Sequence, residues 1–220
     1  LYLGGGVARP GDLQSHLADV INVVVIDVRR GGVAHDLTSP TLIPLLITAA
    51  FDSRCRFVFA SLDCRTYSAA HFLPDARGEP GKPWRDTDHP MGKPAADGSI
   101  PASVETANMQ TRGGAAICRA CVAGGGFFMA ETPACRRGGH VDATPGCEKH
   151  SYMFDDPAWV SLAQETDAVI ALTDQCMWLD DPATASETGP KATAILSSGN
   201  VRRCVHAVLG DKRCRHPPNT

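Results

Sequence analysis

The chain has 220 residues, of which 43% are hydrophobic and 20% are charged, and its formal net charge is −3. This composition excludes a disordered or fibrous protein and fits one domain with a sizeable core. No apolar run reaches the roughly 20 residues of a transmembrane helix, so no membrane contact is expected. The nine cysteines are odd in number and lack the spacing of a small disulfide framework, which indicates reduced thiols in an intracellular protein, cytoplasmic or nuclear.

Strand-like and helix-like segments alternate along the chain. After a short apolar opening at Leu1–Leu3, the β-branched run 20–28 predicts a strand buried on both faces. Further strands are predicted at 56–62, 127–131, 168–173 and 192–197, and helices at 41–50, near 104–123 and near 157–166. This alternation predicts an α/β fold with a doubly wound, mostly parallel sheet.

Two segments depart from the alternation. The stretch 74–101 is rich in proline and glycine and predicts a long mobile loop. Residues 151–190 contain acids but no lysine or arginine, whereas 191–220 are basic. We therefore predict one domain over 1–198 and a basic tail over 199–220, which either contacts nucleic-acid phosphates or is simply solvated.

The first two predicted strands are followed by residues suited to a nucleoside. Gly4, Gly5 and Gly6 follow the opening strand, where glycine lets the backbone approach a ligand closely. Asp27 ends the next strand and could accept hydrogen bonds from ribose hydroxyls, and Asp36 could meet an adenine amino group. For both acids, the alternative is a turn or helix cap.

The later strands end in residues suited to covalent catalysis. Cys64 follows the strand at 56–62 and is expected to begin a helix, where amide dipoles and Arg65 would favour its thiolate. Glu131 ends the strand at 127–131 and is expected beside Cys64 as an acid that activates a heterocycle. The alternatives are a buried structural cysteine and a strand-end glutamate bonded to local amides.

Taken in order, these motifs resemble those of the cytosine C5-methyltransferase family, and most of all its small viral, phage and algal members. The resemblance covers nearly all of residues 1–198. It is carried by the glycine turn, Asp27, His35-Asp36-Leu37, Cys64 with Thr66 and Ser68, Glu131-Thr132-Pro133, Asp174-Gln175-Cys176 and Pro190-Lys191-Ala192-Thr193. It implies a fold of the class I S-adenosylmethionine-dependent methyltransferase type and transfer of a methyl group to cytosine, with DNA as the expected acceptor.

The resemblance also assigns roles to individual residues. In the cofactor site, the glycines form the turn, Asp27 binds the ribose and Asp36 binds the adenine of S-adenosylmethionine. In the catalytic site, Cys64 is the nucleophile and Glu131 engages cytosine N3. The remaining implied roles are a basic residue near the catalytic centre, Lys191, and substrate contacts from Arg65, Ser68 and Thr132.

Three departures from the family pattern leave two other functions open. Asp63 stands where the family has proline before the nucleophile, and Thr132 stands where it has asparagine. Few residues follow Ser198, so we expect no counterpart of the family's separate target-recognition region. The alternatives are a catalytically inactive nucleic-acid-binding module with this fold, and a methyltransferase that acts on a free pyrimidine nucleotide.

Two groups of cysteine and histidine raise the alternative of a structural zinc site, although no metal is predicted. The first is Cys118 and Cys121 with Cys135, His140, Cys147 and His150, and the second is Cys204, His206, Cys214 and His216. Zinc favours tetrahedral sets of such ligands at short spacing. Cys118 and Cys121 lie in a predicted helix, where this spacing is often a matter of packing.

Overall fold

The architecture is that of a computed structural model, which describes residues 1–8, 13–17, 19–75, 77–138, 144–174 and 192–209. Lys191, Gln175 and Cys176, which the sequence singled out, lie outside these residues, as do 210–220.

A single mixed sheet forms the centre of the fold. Its strands are β1 (Tyr2–Leu3), β2 (Val25–Ile26), β3 (Phe57–Ala60), β4 (Phe127–Pro133), β5 (Val169–Asp174) and β6 (Ala192–Ser197). They lie in the order β2-β1-β3-β4-β6-β5. The pairs among β1 to β4 are parallel, and β6 runs antiparallel to both β4 and β5. The predicted α/β class and mostly parallel sheet are confirmed.

Six α-helices are described: α1 (Leu13–Leu17), α2 (Val28–Gly31), α3 (Leu42–Phe51), α4 (Ala102–Ala123), α5 (Pro157–Glu165) and α6 (Arg202–Leu209). The three predicted helices are therefore α3, α4 and α5. The start of α5 follows from local chemistry, because Asp156 caps it by accepting from the Ala158 amide and Pro157 occupies its first turn. None of the described helices is both long and apolar enough to cross a membrane.

The core lies between the sheet and the helices α3, α4 and α5. Strand β4 alternates, with Phe128, Ala130 and Thr132 buried and the residues between them half-buried, so one face of the sheet is better covered than the other here. Strand β6 is buried at all of its positions, as expected for a strand inside a sheet with both faces covered.

The prediction of one long buried strand over residues 20–28 is wrong. Only Val25–Ile26 forms a strand, and β2 has β1 as its one neighbour in the sheet. Val20 is 76% exposed and Val24 is 54% exposed. Because Asp27 caps α2 at once, the strand ends before the apolar run does.

The proline-rich segment 74–101 has no helix or strand in its described residues, as expected for a loop, and side-chain contacts anchor it to the rest of the fold. Arg85 is only 1% exposed, and its guanidinium lies 4.0 Å from the centre of the Tyr67 ring. It donates to Thr66 Oγ1 at 3.1 Å and to Asn108 Oδ1 at 2.8 Å. These contacts attach the segment to α4 and to the residues that follow Cys64.

The fold continues past residue 198. Helix α6 packs against β5, and Val205 on it is buried. In the described part of the predicted tail 199–220, residues Arg202–Leu209 therefore form a helix that is buried at Val205, while Arg202 and Arg203 are exposed.

Candidate functional site

The loops after β1, β2 and β3 enclose a cleft of about 380 Å³. From the central strand β1 the chain crosses to β2 on one side and later to β3 on the other. The carboxyl ends of the strands on either side of such a reversal diverge, which leaves a crevice where open α/β sheets bind ligands. The cleft is lined by Gly4, Gly6, Asp27, Val28, Arg29, His35, Asp36, Leu37, Ser61, Leu62, Asp63, Cys64, Arg65, Thr106 and Gln110.

The glycine turn at one wall of the cleft depends on having no side chain. Gly4 has a φ of +74°, and a Cβ there would lie 2.2 Å from the Ser61 carbonyl oxygen. Gly6 also has a positive φ, of 66°. Only glycine adopts this backbone at low cost and lets the turn pass so close to β3. Gly5 does not line the cleft; a Cβ there would lie 2.8 Å from Val25 Cγ1.

Asp27 ties this turn to α2. Its Oδ2 accepts from the Gly6 amide at 2.9 Å, and its Oδ1 accepts from the Arg29 amide at 2.7 Å. The helix-cap interpretation of Asp27 is therefore seen directly. Each carboxylate oxygen has two acceptor sites, so one site per oxygen remains beyond these two bonds.

Asp36 forms a similar local turn at the edge of the cleft. Its Oδ1 accepts from the Thr38 amide at 2.9 Å and from the Thr38 hydroxyl at 2.8 Å. The turn interpretation of Asp36 is seen here too, and its carboxylate still lines the cleft beside His35 and Leu37.

Cys64 also lines the cleft and is half-buried. It precedes a single 3₁₀ turn, Arg65–Tyr67, rather than the longer helix that the sequence predicted. A three-residue turn has no useful macrodipole, so the expected stabilisation of the thiolate by helix amides does not follow from this geometry.

The guanidinium of Arg65 forms an ion pair with the Asp63 carboxylate. Arg65 Nε donates to Asp63 Oδ1 at 2.9 Å, and Arg65 Nη2 donates to Asp63 Oδ2 at 2.6 Å. This bidentate pair holds the pKa of Asp63 below its usual range. The charges of Asp63 and Arg65, which flank Cys64 in the sequence, thus neutralise each other in large part.

The turn after Cys64 is held by three side chains from other segments. Arg85 donates to Thr66, and His71 Nε2 lies 2.9 Å from the Arg65 carbonyl oxygen. His150 Nδ1 accepts from the Arg136 amide, so the proton on Nε2 is donated to the Tyr67 carbonyl oxygen at 2.9 Å. Burial lowers the pKa of His150, in keeping with this neutral form.

Glu131 is linked to the cleft by a hydrogen bond from Ser61, a residue that the sequence analysis did not single out. Ser61 Oγ donates to Glu131 Oε1 at 2.5 Å, and Ser61 itself lines the cleft. The expected adjacency of β4 to the strand of Cys64 is confirmed by the parallel pairing of β3 with β4. A polar residue at the carboxyl end of the predicted strand 56–62 was the signal that could have found Ser61, because ligand-binding residues lie at that end of parallel strands.

Two other predicted residues, Ser68 and Thr132, are not brought to the cleft. Ser68 accepts from the Ala70 amide and caps a second 3₁₀ turn. Thr132 is 1% exposed, and its hydroxyl has no hydrogen-bond partner among the described residues. Successive residues of a strand point to opposite faces, so Thr132 faces away from Glu131 and from a substrate that Glu131 would contact. Lys191 lies outside the described residues.

Besides Ser61, three polar residues line the cleft without having been predicted: Arg29, Thr106 and Gln110. Arg29 follows Asp27 on α2, while Thr106 and Gln110 lie four residues apart on α4 and therefore share one face of it. Nothing in the local sequence distinguishes that polar face from an ordinary solvated one.

The described residues do not support the zinc alternatives. No group of three or more potential ligands lies close enough to hold a metal in the part of the chain that the structure describes. Cys118 and Cys121 are buried in α4, and Cys204 is exposed on α6. His140, the His206 side chain, Cys214 and His216 lie outside the description.

Comparisons of the chain with protein-family models, with curated proteins and with solved structures find no match. The function is therefore argued from the cleft itself.

Proposed function

We propose that this chain binds S-adenosylmethionine in the cleft and methylates C5 of cytosine, with DNA as the acceptor, through a covalent adduct with Cys64. The observation that carries the proposal is the cleft's composition. Four separate segments bring Gly4 and Gly6, Asp27, Asp36 and Cys64 to one crevice at a reversal of strand order.

The cofactor end fits a nucleoside on chemical grounds. Asp27 and Asp36 supply carboxylate oxygens with remaining acceptor sites, which suit ribose hydroxyls and an adenine amino group. The turn at Gly4 and Gly6 presents bare backbone. S-adenosylmethionine would supply the electrophilic methyl group. The mostly parallel sheet is compatible with the class I methyltransferase type, which we include in the proposal.

At the catalytic end, Cys64 and the Ser61–Glu131 pair have separate tasks. The Cys64 thiolate attacks C6 of a cytosine that has left the base stack, forming a carbon–sulfur bond and making C5 nucleophilic. Glu131 holds a proton at cytosine N3 and stabilises the charge that develops there. The hydrogen bond from Ser61 orients the Glu131 carboxyl group. After methylation, loss of the C5 proton and release of the thiol restore Cys64.

The test combines cofactor binding with trapping of the adduct. The wild-type protein is titrated calorimetrically with S-adenosylmethionine, and methyl transfer to DNA, RNA and dCMP is measured in parallel. DNA that contains 5-fluorocytosine cannot lose its C5 substituent, so a Cys64 adduct should survive denaturing electrophoresis. The adduct should require S-adenosylmethionine and be absent from Cys64→Ala.

Cys204→Ala is the matched control, because Cys204 is an exposed thiol distant in sequence from the cleft and should leave the adduct unchanged. Equal methylation by wild type and Cys64→Ala would remove Cys64 from the mechanism. Transfer to dCMP but not to DNA would select the free-nucleotide alternative.

One observation favours a second candidate, an inactive nucleic-acid-binding module. Asp63 precedes Cys64 and binds the guanidinium of Arg65, and Thr132 is buried away from the cleft. A protein that binds S-adenosylmethionine and DNA but yields neither adduct nor methyl transfer with any acceptor would support this candidate.

A further inference from the structure

A second cavity lies near the amino ends of β1 and β3, away from the carboxyl-end cleft. It has a volume of about 280 Å³ and is lined in part by Leu17, Ile21, Arg54, Cys55, Arg56 and Phe57. Cys55 is half-buried and is the one thiol among the described lining residues. A small reagent that enters this cavity therefore comes next to Cys55.

Cys55 has a second thiol as its neighbour. Cys121 on α4 lies beside Cys55, and both thiols are free. Cys121 Sγ also lies 3.6 Å from the Cys55 carbonyl oxygen and 3.4 Å from that of Phe127. Packing around this sulfur is close, since a Cβ on Gly126 would lie 2.7 Å from it.

We propose that Cys55 and Cys121 form a reversible disulfide when a small peroxide enters the cavity. In the first step the Cys55 thiolate attacks one peroxide oxygen; a sulfur–oxygen bond forms, the oxygen–oxygen bond breaks, and hydroxide leaves. In the second step the Cys121 sulfur attacks Cys55; the sulfur–sulfur bond forms and the sulfur–oxygen bond breaks. The Cys121 proton and one from solvent convert the two departing hydroxides to water. Two thiols are oxidised by two electrons and one peroxide is reduced.

The electrostatics of the pair assign the order of these steps. The hydrogen bond from Cys121 lowers the pKa of Cys55 to about 6. The same contact, together with burial, raises the pKa of the Cys121 thiol. Cys55 is therefore the thiolate that attacks, and Cys121 keeps its proton until it resolves the intermediate.

The test is oxidation of the native protein with hydrogen peroxide, followed by acid quenching, alkylation and peptide mapping without reductant. We expect a linked pair of peptides that contain Cys55 and Cys121, which reductant separates. The linkage should persist in Cys204→Ser and Cys118→Ser and should be lost in Cys55→Ser. A Cys55 that stops at sulfinic acid while Cys121 stays a thiol would overturn the proposal, and so would a linkage of Cys55 to Cys118.

A second measurement keeps the proposal testable if a variant of buried Cys121 folds poorly. In the wild type, alkylation of Cys55 by iodoacetamide should reach half its limiting rate near pH 6. The wild-type rate decides the assigned roles by itself; where Cys121→Ala folds, it should in addition slow that reaction about tenfold at pH 6.5, because the thiolate loses its donor. A half-rate near pH 8.5 for wild-type Cys55, as for an ordinary thiol, would contradict the assigned roles.

Discussion

Replacing Arg85 with methionine tests how the segment 74–101 is held. Methionine keeps much of the apolar stem but removes donors to Thr66 Oγ1, Asn108 Oδ1 and the carbonyl oxygens of Pro90 and Val104. Each lost hydrogen bond should cost about 1 kcal/mol, and loss of the contact with the Tyr67 ring up to ~2 kcal/mol. Part of this loss is offset, because the wild type pays a desolvation cost for burying the guanidinium and methionine does not. We expect the free energy of unfolding to fall by about 2–4 kcal/mol.

Urea unfolding, followed by circular dichroism and by tryptophan fluorescence, measures this difference. Arg54→Met is the matched control: its side chain is 89% exposed and pairs with Asp52, so its replacement should change the free energy of unfolding far less, as is usual for an exposed ion pair. If Arg85→Met and Arg54→Met were equally stable, with the same dependence on urea, the anchoring role of Arg85 would be refuted.

Four other outcomes follow from the same contacts. Gly4→Ala should lower the unfolding free energy by about 2–4 kcal/mol, because its Cβ meets the Ser61 carbonyl oxygen at 2.2 Å. Gly98→Ala is the control: Gly98 has a φ of +81° but no atom lies within 4 Å of the added Cβ, so it should cost only about 1 kcal/mol in the same urea titration. Asp27→Asn should weaken S-adenosylmethionine binding by about 1.5–3 kcal/mol in calorimetry, and equal affinity would remove Asp27 from that site. Burial lowers the pKa of His150, so the folded state resists protonation of this side chain and stability falls as the pH drops below about 6.5. Between pH 7 and pH 5 the wild type should therefore lose more unfolding free energy than His150→Gln does. If the two proteins lost the same unfolding free energy over this range, His150 would not be the cause of the pH dependence. Deleting 210–220, which spares α6, should flatten the salt dependence of any DNA binding, whereas an unchanged slope would mean that this basic stretch contacts no phosphate.

Local pattern was enough to locate most of the secondary structure. The predicted strand at 192–197 is β6, and those at 127–131 and 168–173 correspond to β4 and β5 within two residues at either end. These segments are apolar, β-rich and bounded by turns, so local preference and tertiary burial favour the same conformation. The ligand-facing loops were also predictable, because parallel strands all present their carboxyl ends at one edge.

Tertiary structure decided what each of these residues contacts. The composition of the run 20–28 could not show whether it forms a central or an edge strand, since the position of a strand in a sheet depends on which strands pair with it. Thr132 follows Glu131 in sequence but faces the core, and Asp27 is already bonded to Gly6, which lies 21 residues away. The contacts of Arg85 with Thr66 and of Cys55 with Cys121 likewise join distant parts of the chain. Sequence periodicity reports which face of an element is apolar, whereas the identity of the neighbour comes only from folding the whole chain.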